Sequence, residues 1–247
     1  GQSMQAMGSR FRATGQTLSL GVTAPLLGIG ALAVREFMTF ETALNRIEAL
    51  VGESAGQVEI YKEAILGMAG RVGIAPIELA NALYYVTSSG FKGSEALSIL
   101  EMSAKAAAAG LESTKSVADL VTSAMNAYRT SGLTAANATD ILLATVREGK
   151  ADPGPLINAL GPILPVAAKM GVEFAEVAGA MAAMSLGGLK AENASTYLRQ
   201  AMMTLLAPTK EAKKTMEEFG FTPQGIRDMM KAKGILPTFV EIEKKLQ

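Results

Sequence analysis

The residues that could do chemistry in this sequence are carboxylates and lysines, because the 247-residue chain contains no His and no Cys. These absences exclude a Ser-His-Asp triad, a His- or thiolate-bound metal, a cysteine nucleophile and a disulfide framework. The closest carboxylate pairs are Glu217-Glu218 and Glu241 with Glu243, and both alternate with lysines. That pattern is typical of a solvated, ion-paired helix face. We therefore predict no catalytic residue, no cofactor and no metal ligand, unless Glu173 or Glu217 is buried beside another carboxylate.

The sequence also contains no motif that indicates nucleotide or nucleic-acid binding. There is no phosphate-binding loop and no dinucleotide fingerprint following a strand. Lys+Arg and Asp+Glu both number 23, so the formal net charge is zero, whereas DNA-binding proteins draw most of their affinity from a basic excess. We predict no sequence-specific nucleic-acid binding. With 49% hydrophobic residues, the neutral chain favours self-association or a protein partner.

Glycines followed directly by an apolar residue are the clearest structural signal. Glycine adopts the left-handed conformation at the end of a helix without a Cβ clash, and the next residue folds back onto the last turn. Eight such endings predict many short helices: Gly73-Ile74, Gly90-Phe91, Gly110-Leu111, Gly132-Leu133, Gly171-Val172, Gly188-Leu189, Gly220-Phe221 and Gly234-Ile235.

Between these endings, apolar residues recur at helical spacing, and no stretch alternates with the period of a strand. The fold class is therefore predicted to be all-α, an array of about ten short amphipathic Ala/Gly-rich helices without a sheet. The expected N-caps are Ser94, Ser113 or Thr114, Thr134, Asp152 and Thr209, with Pro76 and Pro223 in first turns. The predicted spans are 31–51, 56–71, 76–89, 94–109, 114–131, 135–148, 155–170, 174–186, 191–206, 209–219 and 223–233.

The chain is expected to divide into four parts. These are an apolar N-terminal arm (1–30), a first helical lobe (31–150), a second lobe (151–240) and the start of a continuing helix (241–247), as in an excerpt of a longer protein. The lobes would separate at the breaker Asp152-Pro153-Gly154-Pro155. Pro162 and Pro165 should make the helix that follows short, kinked or late to start.

An uncharged stretch from Thr17 to Val34 reaches the lower length limit for a membrane span. It could be a packed apolar segment, a membrane-active segment or a signal sequence, and its glycines and Pro25 weaken it as a stable helix. The candidate membrane-active residues are Leu20, Val22, Leu26, Leu27, Ile29 and Leu32.

Two compositional features allow both a structural and a binding interpretation. Small-residue helix faces, as at 104–110, 178–183 and 191–195, suit tight helix packing or a surface that can repack or enter a bilayer. Methionines suit irregular core gaps or an adaptable partner surface. Those of the C-terminal half are Met181, Met184, Met202, Met203, Met216, Met229 and Met230.

The order of several segments resembles one known family. An apolar Gly/Pro segment (22–34) leads to Phe40-Glu41. It is followed by stretches 68–80, 83–91, 105–111, 117–120 and 125–128, then by Gly161-Pro162, 167–172, 178–185, 197–200 and 205–210. This run resembles the helical core of phage tail tape measure proteins, also called phage minor tail proteins, over residues 20 to 240. No single element is specific, and Gly187-Gly188 with Asn193-Ala194-Ser195 is a looser version of the pattern.

The resemblance implies a structural, non-enzymatic protein of the virion, in the tail lumen or tip, that sets tail length during assembly and takes part in genome delivery through the host envelope. It implies tail tube, tail tip and assembly chaperone proteins as partners, and self-association in a few copies, with a trimer as one option. Contact with the host membrane or periplasm during infection would follow. The alternative from the residues is a membrane-active, pore-forming helical effector.

Overall fold

The computed structural model describes residues 24–246, and their side chains from residue 34 to residue 245. Within that range every regular element is helical and no strand is present, so the all-α prediction is confirmed. The helices are α1 (Ala24–Arg46), α2 (Ala55–Val72), α3 (Pro76–Ser88), α4 (Gly93–Ala108), α5 (Thr114–Ala127), α6 (Ala135–Glu148), α7 (Pro153–Leu160), α8 (Leu164–Met170), α9 (Phe174–Leu186), α10 (Ala191–Leu206), α11 (Lys210–Glu218), α12 (Pro223–Lys233) and α13 (Ile235–Leu246).

The glycines predicted to end helices do so. All eight have a positive φ, between 70° and 96°. After Gly90 and Gly110 the chain turns back, so that the Phe91 N–H donates to the Val86 carbonyl at 3.4 Å and the Leu111 N–H to the Ala106 carbonyl at 3.2 Å. These bonds satisfy carbonyls that a helix end would otherwise leave unpaired, and they bury the apolar residue after the glycine.

The predicted helix starts are mostly correct. The Ser113, Thr134 and Thr209 hydroxyls accept hydrogen bonds from backbone N–H groups of the first turn, as expected of N-caps. Asp152 occupies an N-cap position but makes no such bond. The prediction for Ser94 is wrong, because α4 begins one residue earlier and its N-cap is Lys92.

Most predicted bounds are within one residue of the observed ones, α5 ends at Ala127 before a 3₁₀ turn (Arg129–Ser131), and three further differences are larger. First, α1 begins at Ala24, not residue 31, and passes into a π-helical turn (Ile47–Val51) that ends at Gly52. Second, the span predicted as 155–170 starts at Pro153 and is divided by a 3₁₀ turn (Gly161–Ile163), because Pro162 and Pro165 each lack an N–H for the α-helical ladder.

The third difference is α13, which the sequence prediction missed apart from its last turns. Gly234 alone separates it from α12, with φ 88° and ψ 175°, a conformation open essentially only to glycine. One helix therefore ends and the next begins across a single residue. The Glu176 carboxylate occupies the space that a Cβ at this position would need.

Four consecutive helical segments occur twice in the chain. Helices α2, α3 and α4 span 55–72, 76–88 and 93–108, and their counterparts span 153–170 (α7 with α8), 174–186 (α9) and 191–206 (α10). Each of these six bounds recurs 98 residues later. With the preceding segments 37–51 and 135–149 they form two copies of one arrangement, here called unit 1 (residues 37–108) and unit 2 (residues 135–206).

The sequences of the two units support this correspondence. Identical residues occur 98 positions apart throughout, namely Leu44/Leu142, Gly56/Gly154, Ile65/Ile163, Leu66/Leu164, Ala69/Ala167, Gly73/Gly171, Glu78/Glu176, Ala80/Ala178, Ala82/Ala180, Gly90/Gly188, Lys92/Lys190, Ala96/Ala194 and Leu100/Leu198. In both units the first helix packs against the third, the second against the third and fourth, and the third against the fourth. The chain therefore contains an internal repeat.

Helix α6 joins the two units. As the first helix of unit 2 it packs against α9, and its other side packs against α4 of unit 1. Ala138 and Leu142 on α6 are completely buried. Helix α5 lies between the units and contacts α3, α4, α6 and α8. On unit 2, α12 packs against α10, and α13 packs against α9. The buried apolar residues form one hydrophobic cluster across position 150, and the division into an arm and two lobes stays a prediction.

Candidate interaction surfaces

In each carboxylate pair that the sequence offered, one member forms an ion pair at the surface. Glu217 is exposed and lies 3.8 Å from the Lys213 ammonium one helical turn away. Glu241 accepts a 2.8 Å hydrogen bond from Lys233, and this bond lowers the pKa of the Glu241 carboxyl. Glu173 is exposed as well. The condition set for an enzyme interpretation, burial of Glu173 or Glu217, is therefore not met.

Buried polar groups in unit 1 tie helices together. Tyr61 is completely buried on α2, and its hydroxyl oxygen accepts a 2.8 Å hydrogen bond from the Gly93 N–H at the start of α4. Burial raises the pKa of the Tyr61 hydroxyl. Beside it the Glu53 carboxylate lies 3.4 Å from the Lys92 ammonium. These contacts fix the junction of α2 and α4 and form no pair of nucleophile and base.

Glu78 and its counterpart Glu176 each contact the start of a helix that packs on their unit. The Thr114 N–H and hydroxyl both donate to one Glu78 oxygen, at 3.3 and 3.2 Å, at the start of α5. Glu176 lies beside Gly234 at the start of α13. A carboxylate at a helix N-terminus interacts favourably with the helix dipole. Sequence reasoning missed this pair of residues, which comparing the chain with itself at an offset of 98 would have revealed.

Tyr128 is a buried group without a chemical role in this arrangement. It is 5% exposed, its ring packs against Phe174 with 6.1 Å between centroids, and its hydroxyl has no hydrogen-bond partner in the described part of the chain. Burial, together with the nearby negative charge of Glu173, raises the pKa of Tyr128 far above its ordinary value. The hydroxyl stays neutral at physiological pH.

An open groove of about 720 Å³ lies where unit 1 meets the start of unit 2. Its apolar floor is formed by Phe91, Ile99, Met125, Leu133 and Ala135, and its rim carries serines, Glu95 and Arg129. Such a lining can hold an apolar side chain but offers no acid/base pair. Over residues 24–246 no cluster of three or more acidic, His or Cys residues could hold a metal ion.

The small-residue faces and most methionines belong to the core. Ala104, Ala106, Ala178, Ala180, Ala191 and Ala194 are buried, and the Ser195 hydroxyl donates a 2.6 Å hydrogen bond to the Ala159 carbonyl across two packed helices. Met181, Met202 and Met230 are almost fully buried, and Met184, Met216 and Met229 pack against the same cluster. Met203 is 44% exposed. Tight packing and core filling therefore account for most of both features.

The glycines in and after α9 differ in what they do. Gly187 and Gly188 end α9, with φ 87° at Gly188. Gly179 is exposed within α9, and a Cβ there would meet nothing within 4 Å, so close packing does not require this glycine.

Exposed large apolar side chains occur on both units and on the helices that flank them. On unit 1 they include Phe37 (52% exposed) and Leu66 (45%), with Val34 and Met38 beside them on α1. The Lys62 ammonium lies 5.6 Å from the Phe37 ring and one helical turn before Leu66, so these two residues share a face. On unit 2 they include Leu189 (37%) and Tyr197 (54%). Contiguous exposed apolar residues mark interaction surfaces.

The candidate membrane-active residues lie at and before the start of α1. Leu20 and Val22 lie outside the described residues. Leu26, Leu27, Ile29 and Leu32 belong to α1, whose backbone is helical from Ala24. Among the helices that the structure describes, none combines the length and apolarity needed to span a membrane.

The sequence of this chain is similar to known phage tail proteins. Residues 62–247 match the family of phage-related minor tail proteins. The chain is also similar to the tape measure protein of Pneumococcus phage Dp-1, with 24% identity over 214 residues, which are 87% of this chain and 19% of that protein. The chain thus corresponds in length to about a fifth of that curated relative. No solved structure matches the chain.

Proposed function

Because this chain belongs to the family of phage-related minor tail proteins, we propose that it is a segment of a tape measure protein, which sets tail length during assembly and takes part in genome delivery. Family membership gives it a structural role in a phage tail and a place in the virion. The observation that carries the finer proposal is the similarity to a tape measure protein over 87% of the chain.

The fold supports a scaffolding role within such a protein. The chain contains a repeat of helical units with apolar outer faces, and repeat arrays of this kind offer extended surfaces for other proteins. The partners that we propose are tail tube, tail tip and assembly chaperone proteins, together with a few further copies of the same chain.

We also propose that the apolar segment with Leu20, Val22, Leu26, Leu27, Ile29 and Leu32 contacts the host membrane during genome delivery. Its support is the absence of charge between Thr17 and Val34. Family membership favours a tail component over an independent pore-forming effector, so membrane contact would be a step in delivery rather than the protein's whole activity.

Tail length in virions is the direct test. In a phage whose tape measure gene encodes this chain, in-frame deletions in coil-forming sequence outside it should shorten the tail by about 1.5 Å for each helical residue removed. An equally long deletion inside residues 24–246 disrupts a packed body, so we expect tail formation to fail instead. Electron microscopy of both series measures the outcome. Tails of unchanged length after the outer deletions would contradict the proposal.

A further inference from the structure

The two units of the internal repeat are in contact with one another within the chain. Helix α4 packs against α6, and beside this contact one groove is lined by Phe91 and Ile99 of unit 1 together with Leu133 and Ala135, just before and at the start of unit 2. Phe91 is 7% exposed, Ile99 1% and Ala135 6%. Unit 1 therefore has a buried apolar side where its fourth helix packs against the first helix of the next unit.

The corresponding side of unit 2 is exposed. Positions 189 and 197 are the counterparts of 91 and 99, and they carry Leu189 and Tyr197, which are 37% and 54% exposed. Helices α12 and α13 pack on other parts of unit 2, against α10 and α9, and leave these two side chains accessible. We call Leu189 and Tyr197 the C face.

On the opposite side of unit 1, two apolar residues are exposed although their counterparts in unit 2 are buried. Phe37 is 52% exposed, whereas its counterpart Ala135 is buried against unit 1. Leu66 is 45% exposed, whereas the identical counterpart Leu164 is 1% exposed on α8, which packs against α5. We call Phe37 and Leu66 the N face.

Other exposed apolar residues have counterparts that are also exposed, and this difference distinguishes the N face and the C face from them. Leu50 is 66% exposed, and its counterpart Glu148 is exposed too. Leu186 is 61% exposed, and its counterpart Ser88 is exposed as well. Among the exposed large apolar residues described in the two units, only those of the N face and the C face have counterparts that are buried in the other unit.

We propose that the C face of one copy of this chain binds the N face of a second copy, in the way that unit 1 binds unit 2 within one chain. In repeat proteins, a neighbouring unit normally covers the apolar side of each unit, and these two faces have no such neighbour within residues 34–245. A contact between two different faces is head-to-tail, and it closes into a ring or continues as a filament. This proposal rests on the self-association proposed above, and it identifies the two surfaces through which the copies would bind.

Association of the 247-residue chain and its variants, measured by sedimentation velocity over a range of concentrations, tests the proposal. We expect the wild type to form dimers and larger species. Phe37→Asp and Tyr197→Asp should each weaken self-association at least about tenfold, because each buries a charge in the contact. Leu50→Asp and Leu186→Asp are matched controls that should associate like wild type. Circular dichroism should show the same helix content throughout, since all four positions are exposed.

Mixing the two face variants gives the sharpest result. Phe37→Asp keeps an intact C face and Tyr197→Asp an intact N face, so an equimolar mixture should form a one-to-one dimer and nothing larger. A mixture that stays monomeric, or controls weakened as much as the face variants, would overturn the head-to-tail contact. A monomeric wild type would overturn self-association through these faces, while the tail-length experiment would still decide the tape measure role.

Discussion

At the scale of single residues, a close contact between the C-terminal ends of α6 and α9 depends on Gly149. This residue follows α6, and the next N–H, of Lys150, donates a 2.9 Å hydrogen bond to the Ser185 hydroxyl on α9. A Cβ at Gly149 would lie 2.9 Å from the Ser185 oxygen and 3.3 Å from the Ala182 Cα. Two helix ends can therefore meet here only because the side chain is absent.

We predict that Gly149→Ala lowers the free energy of unfolding by about 1–3 kcal/mol, because the added methyl group forces packed neighbours apart. Gly179→Ala is the matched control. Position 179 lies in the exposed interior of α9 with nothing within 4 Å of a Cβ, so alanine should raise the free energy of unfolding by up to about 1 kcal/mol. Urea denaturation followed by circular dichroism measures both. Equal effects of the two substitutions would show that the close approach does not constrain position 149.

At the scale of elements, local chemistry made the helices predictable. A glycine before an apolar residue ended a helix in every predicted case, because the left-handed conformation and the returning apolar side chain are decided within a few residues. Hydroxyl N-caps were recognisable at Ser113, Thr134 and Thr209 for the same reason. Ser94 failed because the helix begins at Gly93, whose φ of 58° is readily adopted only by glycine, so the helix starts before the capping side chain.

The placement of elements was less predictable, since it depends on contacts distant in sequence. Where α12 gives way to α13, Gly234 lies against the Glu176 carboxylate, 58 positions earlier in the numbering, which leaves no room for a Cβ. Single spacings do not reveal such a contact. The exposed faces were also unpredictable from composition, because Phe37 and Leu66 look like core residues until the repeat shows which side of each unit lacks a neighbour.

The apolar segment at the start of α1 carries a prediction at this same scale. If it contacts membranes, the chain should release dye from vesicles of phosphatidylethanolamine and phosphatidylglycerol, and Ile29→Asp should abolish most of the release, because a carboxylate is costly to place among lipid tails. Leu50→Asp places the same charge on an exposed apolar position outside the segment and should leave release unchanged. If the wild type releases no dye, the segment does not act on membranes.

At the scale of the whole molecule, α6 makes the two units depend on one another. It contributes to the hydrophobic contacts of both, through α4 and through α9, whereas α1 packs against α2 and α3 of unit 1. In a repeat array, stability is close to a sum of terms within units and between neighbours, so a defect spreads only through shared interfaces. The two first helices occupy equivalent positions in their units but differ in the number of units they stabilise.

The identical residues Leu44 on α1 and Leu142 on α6 test this difference, since they are 1% and 0% exposed at equivalent positions. Alanine at either should lower the free energy of unfolding by about 2–5 kcal/mol through the cavity it leaves. Hydrogen exchange measured by mass spectrometry under native conditions should then separate them. Leu142→Ala should speed exchange in both units, whereas Leu44→Ala should speed it mainly in residues 37–108, because local openings follow the contacts that were lost. If Leu44→Ala accelerated exchange in residues 135–206 just as much, the chain would be one cooperative body, and α6 would hold no special place between the units.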